Sequence, residues 1–262
     1  MKYQKSMLKL MEKILSEKKE KSMEVLIRES RTGRNSSFEA LKFLEENGFI
    51  KIKNLGNQKM VELVRGNSVL QFKNYVDLMD FKNLDSLVKI VINVFVYSLF
   101  KKKKIKSALL FGSALKGKNF NDIDIMLLGE NLKVEDIREL DKVKNLIERI
   151  FGIVLNIHKE EFNFDNLFKG IVIYQSSYVS EHTSVQMKYF EFLDSLYEMI
   201  IGKEKDFFKG VLINLSYVYC FSEEFFPKTK QDALDFFNKK YKVKTLKNLK
   251  KEGIEIGKKI FK

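Results

Sequence analysis

The sequence predicts an α+β protein with helical regions at both ends and strands between them. Three observations predict it. Apolar residues recur at three- and four-residue steps over residues 3–17 and again from 185 onward, the spacing of one helix face. Residues 49–53 and 59–64 alternate apolar with polar around Asn54, Leu55, Gly56 and Asn57, which is the pattern of a hairpin. In the middle, apolar runs of strand length flank a Gly112-Ser113 turn, and an amphipathic stretch at 134–151 follows them. Pro227 is the one proline in 262 residues, so long uninterrupted helices are expected.

Composition narrows the class. With 45% apolar residues the chain can bury a core, and the length favours two compact modules over one. The apolar run at 90–100 is far short of the ~20 residues of a membrane helix, and Lys101 closes it. No bilayer span is expected, nor a cleaved leader in the first ten residues, so the protein reads as cytoplasmic. One cysteine, Cys220, and two histidines, His158 and His182, exclude a disulfide scaffold or a zinc finger. The charge is +13, from 48 Lys+Arg against 35 Asp+Glu, the sign that favours polyanions.

At the amino end, Met7, Leu8, Met11, Ile14 and Leu15 mark the first helix. Ser22 can cap a second, short helix carrying Met23, Leu26 and Ile27. A break follows at Arg31 to Arg34, where Gly33 supplies the permissive backbone. Ser36 or Ser37 can cap the third helix, whose stripe is Phe38, Leu41 and Leu44, and Asn47-Gly48 reads as its left-handed stop. Three helices and then a hairpin describe a winged helix. The segment RTGRNSSFEALKFLEENGFIKI, within residues 3–65, resembles the winged helix-turn-helix domains of prokaryotic regulators. That resemblance implies contact with double-stranded DNA. It assigns Arg31, Arg34, Asn35, Ser36, Ser37, Glu39 and Lys42 to the helix that enters the groove, and Lys51, Lys53, Asn57 and Lys59 to the wing. Residues 1–66 hold 15 Lys+Arg against 9 Asp+Glu, or +6 of the +13, as a phosphate-contacting surface requires.

Residues 67–83 read as a connector containing some helix, and a long, largely buried helix is expected over 84–100. Ile105 to Phe111 then forms a buried strand. Gly112 and Ser113 fall where it ends, leaving backbone N–H groups and a hydroxyl to hold phosphate oxygens, and Lys116 and Gly117 continue a cationic loop. Asp122 and Asp124 flank Ile123, so on a strand both carboxylates project to one side while Ile123 and Ile125 project to the other. Paired oxygen anions facing a phosphate-sized turn suit Mg²⁺, which takes one or two carboxylates plus substrate phosphates.

Residues 84–175 resemble the nucleotidyltransferase superfamily that includes DNA polymerase beta, kanamycin nucleotidyltransferase and the minimal nucleotidyltransferases. Gly112 and Ser113 match its turn, Lys116 and Gly117 its basic extension, and Asp122 and Asp124 its Asp-x-Asp strand. The resemblance implies a mixed-sheet nucleotidyltransferase fold. It implies an NTP held by Gly112, Ser113 and Lys116, Mg²⁺ held by Asp122 and Asp124 as the catalytic acids, and transfer to a protein, RNA or small-molecule hydroxyl. The superfamily places a third carboxylate on a later strand, and here this chain departs. On the strand expected at 153–158, the face opposite Ile153, Leu155 and Ile157 carries Val154, Asn156 and His158, with no acid. An amide is neither a base nor a source of negative charge. His158, Glu160 and Glu161 are the alternatives in reach.

Residues 168–175 suggest one more strand or an apolar connector. Beyond them lie helical stripes, from Val185 to Ile200 and Val211 to Tyr219, then two basic helices over 231–240 and 245–259. Cys220 falls in an apolar stretch and reads as core. The expected domains are thus 1–66, a connector 67–83, 84–180 and a helical 181–262. Two functions stay open: a transferase targeted by its winged helix, with a protein acceptor or homodimer among its partners, and a transcriptional regulator whose degenerate transferase-like domain senses nucleotide or dimerises.

Overall fold

The computed structural model describes residues 5–15, 20–100, 102, 104–115, 120, 122–138, 140–176, 183–202 and 207–261. By its contacts the chain forms two compact units, Met1–Asp80 with Asn163–Ile171, and Phe81–Phe162 with Val172–Lys262. No helix among the described residues is long and apolar enough to cross a membrane.

In the first unit the order is α1 (Lys5–Leu15), β1 (Lys21–Ser22), α2 (Met23–Ser30), α3 (Arg34–Glu46), β2 (Ile50–Leu55), β3 (Gln58–Leu63) and α4 (Asn67–Lys82). β2 and β3 form an antiparallel hairpin with Leu55 opposite Gln58, and the two-residue β1 adds to β3, giving the order β1-β3-β2. Leu10, Met11, Leu26, Leu41, Leu44 and Ile50 are fully buried together, each such side chain contributing roughly 1.5–3 kcal/mol. Ser22 caps α2 by accepting from the Val25 amide.

Two local expectations fail at the turn before α3. The left-handed residue is Arg31 (φ 51°), which ends α2 with its N–H on the Arg28 carbonyl, while Gly33 is extended (φ −63°). Gly33 is also the N-cap, and Ser36 and Ser37 both donate their hydroxyls back to its carbonyl at 2.9 Å. Serine inside the first turn finds a carbonyl three or four residues back more readily than an amide ahead.

α4 is no loose connector. Val69 and Phe72 complete the first core, Phe72 edge-on to Phe49. On the same helix Lys73 and Asp77 are buried and bonded to each other at 2.6 Å, and Lys73 also donates to the Gly170 carbonyl at 2.8 Å. Segment Asn163–Ile171 is tied to this unit a second time by Arg65, whose guanidinium grips Asp165 with two nitrogens.

The second unit is built on a four-stranded sheet ordered β6-β5-β4-β7, from β4 (Ile105–Phe111), β5 (Asp122–Gly129), β6 (Val154–Glu161) and β7 (Ile171–Gln175). β4 runs antiparallel to β5 and β6 parallel to it, so the sheet is mixed. α5 (Ser86–Leu99), capped by Asp85, buries Ile90, Val91, Phe95 and Leu99. The amphipathic stretch expected as one helix over 134–151 is two, α6 (Val134–Arg138) and α7 (Asp141–Phe151), with Leu140 buried at the break. β6 extends beyond 158, so Glu160 and Glu161 end the strand. The helices α8 (Ser184–Ile200), α9 (Phe208–Ser222), α10 (Lys230–Asn238) and α11 (Leu246–Ile260) follow. α11 approaches α8 closely because Gly253 and Gly257 carry no side chain: a Cβ at Gly257 would lie 2.2 Å from the Tyr189 hydroxyl.

Candidate active site

Strand pairing assembles the acids. Asp124 lies opposite Phe111 of β4 on one side and Asn156 of β6 on the other, while Asp122 lies opposite Val154. Alternation then buries Ile123 and Ile125 completely and leaves Asp122 and Asp124 half-buried on the opposite face. The Asn156 amide nitrogen donates to Asp122 Oδ2 at 3.0 Å and to Asp124 Oδ1 at 3.2 Å. Two carboxylate acceptors fix which end of that amide faces them, since only its nitrogen can donate. The two acids therefore converge within two hydrogen-bond lengths of one another.

Gly112 closes the other side. Its φ of +81° is left-handed, and a Cβ there would sit 2.2 Å from Asp124 Oδ2, so both the backbone and the space require glycine. Ser113 opens a single 3₁₀ turn, Ser113–Leu115, and its exposed hydroxyl stands 3.5 Å from Asp122 Oδ1. Of the residues expected to hold a triphosphate, the structure thus brings Gly112 and Ser113 against the acid pair. Lys116 and Gly117 lie outside the described residues.

His158, two positions along the same face from Asn156, stands 4.0 Å from Asp124 Oδ1 with its ring edge on Phe111. No lysine or arginine pairs with Asp122 or Asp124 among the described residues. Glu160 falls on the same face but further along β6, opposite Leu128. The third position of the face is an amide, as the sequence has it.

This donor set fits one hard cation. No group of three His, Cys, Asp or Glu side chains that could hold a metal occurs among the described residues. Mg²⁺ needs no such cage: it keeps several waters and is held by one or two carboxylates plus substrate phosphates, which Asp122, Asp124 and an adjoining hydroxyl can accommodate. A cleft of about 520 Å³ in the first unit has a different character. Its floor is Ile14, Leu26 and Val61, and the Arg65 and Asp165 at its edge are bound to each other.

Residues 95–178 match the family model described as Polymerase beta, Nucleotidyltransferase. This part of the chain is similar to nucleotidyltransferase domains. The matched stretch contains the Gly112-Ser113 turn, both aspartates, Asn156 and all four strands of the mixed sheet. Nucleotidyltransferases of this type act on an NTP and in general use divalent metal ions. No curated protein and no solved structure matched the chain.

In the first unit, Arg31, Arg34, Asn35, Glu39, Lys42, Lys51, Asn57 and Lys59 are exposed, and Ser36 is half-buried. Arg34 lies over the Phe38 ring at 5.9 Å. Ser37 is fully buried, its hydroxyl on Thr32 and the Gly33 carbonyl, so it holds the turn and cannot reach a ligand. Lys53 is claimed by Glu62 and Glu20, and the hydrogen bond it donates to Glu62 raises its pKa and lowers that of the glutamate. Its charge is locally cancelled. Cys220 is buried among aromatic residues, and burial pushes its thiol up to about 11.

Proposed function

We propose that this protein is a Mg²⁺-dependent nucleotidyltransferase that moves a nucleoside monophosphate from an NTP to an acceptor hydroxyl with release of pyrophosphate, and that a winged helix-turn-helix at its amino end carries it to double-stranded DNA. The observation that carries the first half is the convergence of Asp122 and Asp124 on a glycine turn that leaves no room for a side chain. Bound Mg²⁺ would neutralise charge on the triphosphate as the phosphoryl bond changes partners. Asp122 and Asp124 hold the cation, and Ser113 offers its hydroxyl to a phosphate oxygen beside them. Asn156 orients the two acids, so the acceptor hydroxyl loses its proton to solvent or to His158 at the edge of the site.

Incubation with labelled NTP, Mg²⁺ and cell extract tests the transfer. Incorporation should fall by about 10³-fold or more in Asp122→Ala/Asp124→Ala, the loss expected when several kcal/mol of charge stabilisation is removed. Equal incorporation by both proteins sinks the proposal.

The duplex-binding half is supported by the three helices, the hairpin with its exposed Lys51 and Lys59, and the exposed Arg31, which ends α2, and Arg34, which begins α3. Arg31→Ala/Arg34→Ala should weaken duplex binding and lower its salt slope by about 2. Mobility unchanged by stoichiometric duplex at low salt argues against it. Asn156 in place of a third acid favours a second reading, in which the same site binds nucleotide without turnover and the chain is a regulator. Saturable NTP binding with no incorporation into any acceptor selects that reading.

A further inference from the structure

Several lysines elsewhere on the second unit are paired with carboxylates: Lys104 with Asp136, Lys142 with Asp194 and Glu198, Lys188 with Glu191, Lys258 with Glu255. One segment concentrates lysines that are not. Residues 239–251 carry seven lysines and no acid. Among the described residues Lys239, Lys242, Lys244, Lys247 and Lys251 are exposed and have no hydrogen-bond or ion-pair partner. Lys247 and Lys251 also occupy the first two turns of α11, the end at which the helix dipole disfavours a cation, so they weaken the helix that carries them. Charge maintained at an unfavourable place, without counter-charge, has a use outside the fold.

An exposed aromatic ring stands next to it. Phe226 is 76% exposed, touching only the Phe221 ring among its aromatic neighbours. The loop that holds it is fixed against the end of α10 by the stacking of Phe225 on Phe236 at 4.3 Å and by the Glu223–Lys240 ion pair at 3.8 Å. A flat apolar face beside a row of free ammonium groups is the arrangement on which unpaired bases stack while phosphates are tracked.

The surface also has a fixed relation to the acid pair. Lys250 donates to the Arg149 carbonyl at 2.7 Å in the last turn of α7. That helix ends at the left-handed Gly152, and the chain enters β6 at Val154, which lies opposite Asp122. The start of α11 is thereby docked at the end of the sheet where the aspartates sit.

We propose that the surface of Lys239, Lys242, Lys244, Lys247, Lys251 and Phe226 binds single-stranded RNA and presents its terminal hydroxyl to the Asp122–Asp124 site. RNA, not DNA, is the nucleic acid that offers free unpaired ends and splayed bases. The presentation rests on the transferase reading, whereas the binding does not.

Fluorescence anisotropy of the full chain with a labelled oligouridine, its deoxythymidine counterpart and a duplex DNA is the test, followed by transfer of label from NTP to the RNA. The oligouridine should bind most tightly of the two single strands. Lys239→Gln/Lys242→Gln/Lys244→Gln/Lys247→Gln should lower the salt slope by about 3, and Phe226→Ala should weaken binding at least about fivefold. Arg31→Ala/Arg34→Ala should leave oligouridine affinity unchanged. Equal affinity and slope in the lysine variant, or tighter binding of the deoxy strand, overturns the proposal. Transfer to some other acceptor but never to bound RNA overturns the presentation and leaves the transferase reading standing. Binding as described with no transfer to anything upholds the surface and sinks the transferase reading.

Discussion

Asp77 in the first unit and the Asp122–Asp124 pair in the second are carboxylates drawn away from water, and their surroundings are opposite. Asp77 accepts on both of its oxygens from the Lys73 ammonium, which is itself buried and also donates to the Gly170 carbonyl. That group of charges is closed. Asp122 and Asp124 bring like charges together and are joined by a neutral amide, with an exposed histidine at 4.0 Å as the nearest ionisable partner described. That group is open to a cation. A fold built for stability alone satisfies its buried charges internally. On the function proposed above, the two carboxylates beside the glycine turn are where the cation would bind.

The closed side of the comparison carries the largest effect on stability. Lys73→Met leaves Asp77 buried without its ammonium and unfastens Gly170, so unfolding should become easier by about 3–5 kcal/mol, read by urea denaturation. Nucleotide affinity should be unchanged. A Lys73→Met protein as stable as wild type would mean that the pair is not the fastening its burial indicates. The open side is sharpened by Asn156→Asp, which replaces a donor shared by two acids with a third acid. Thermal stability in chelator should fall by about 1–3 kcal/mol, and Mg²⁺ should restore it. A loss indifferent to Mg²⁺ would break the contrast. The smallest effect concerns Cys220. Its folded-state pKa near 11 lies above the unfolded value of about 8.5. The stability it contributes is therefore complete below the lower value and declines as pH rises toward the higher one. A thiol reagent at pH 8 should react with unfolded protein and spare the folded form.

How legible each region was follows from the physics of its residues. The acid pair was readable because strand alternation alone decides where Asp122 and Asp124 point, and Ile123 and Ile125 verify it by their burial. The part played by Asn156 was half readable: its lack of charge is in the sequence, but its two bonds depend on the register of β6 against β5. The close fit of Gly112 to Asp124 depends on β4 folding back on β5, which no local pattern displays. α4 was obscured because an inward-facing lysine and aspartate, four residues apart, interrupt the apolar stripe that marks a buried helix. The break between α6 and α7 was hidden for the converse reason. Leu140 keeps the apolar period going through a turn where the helix does not continue. Around Arg31 and Gly33 the competing features were a glycine that propensity favours for the left-handed position and an arginine that takes it where α2 ends, its N–H on the Arg28 carbonyl.

The claim beneath all of this is that the open carboxylates are completed by a cation and the nucleotide it carries. Thermal unfolding of wild type and of Asp122→Asn/Asp124→Asn, each with and without Mg²⁺ and NTP together, tests it directly, because a ligand that binds only the folded chain raises its transition by mass action. The wild type should rise by several degrees and the amide variant not at all. The same rise in both proteins would contradict it.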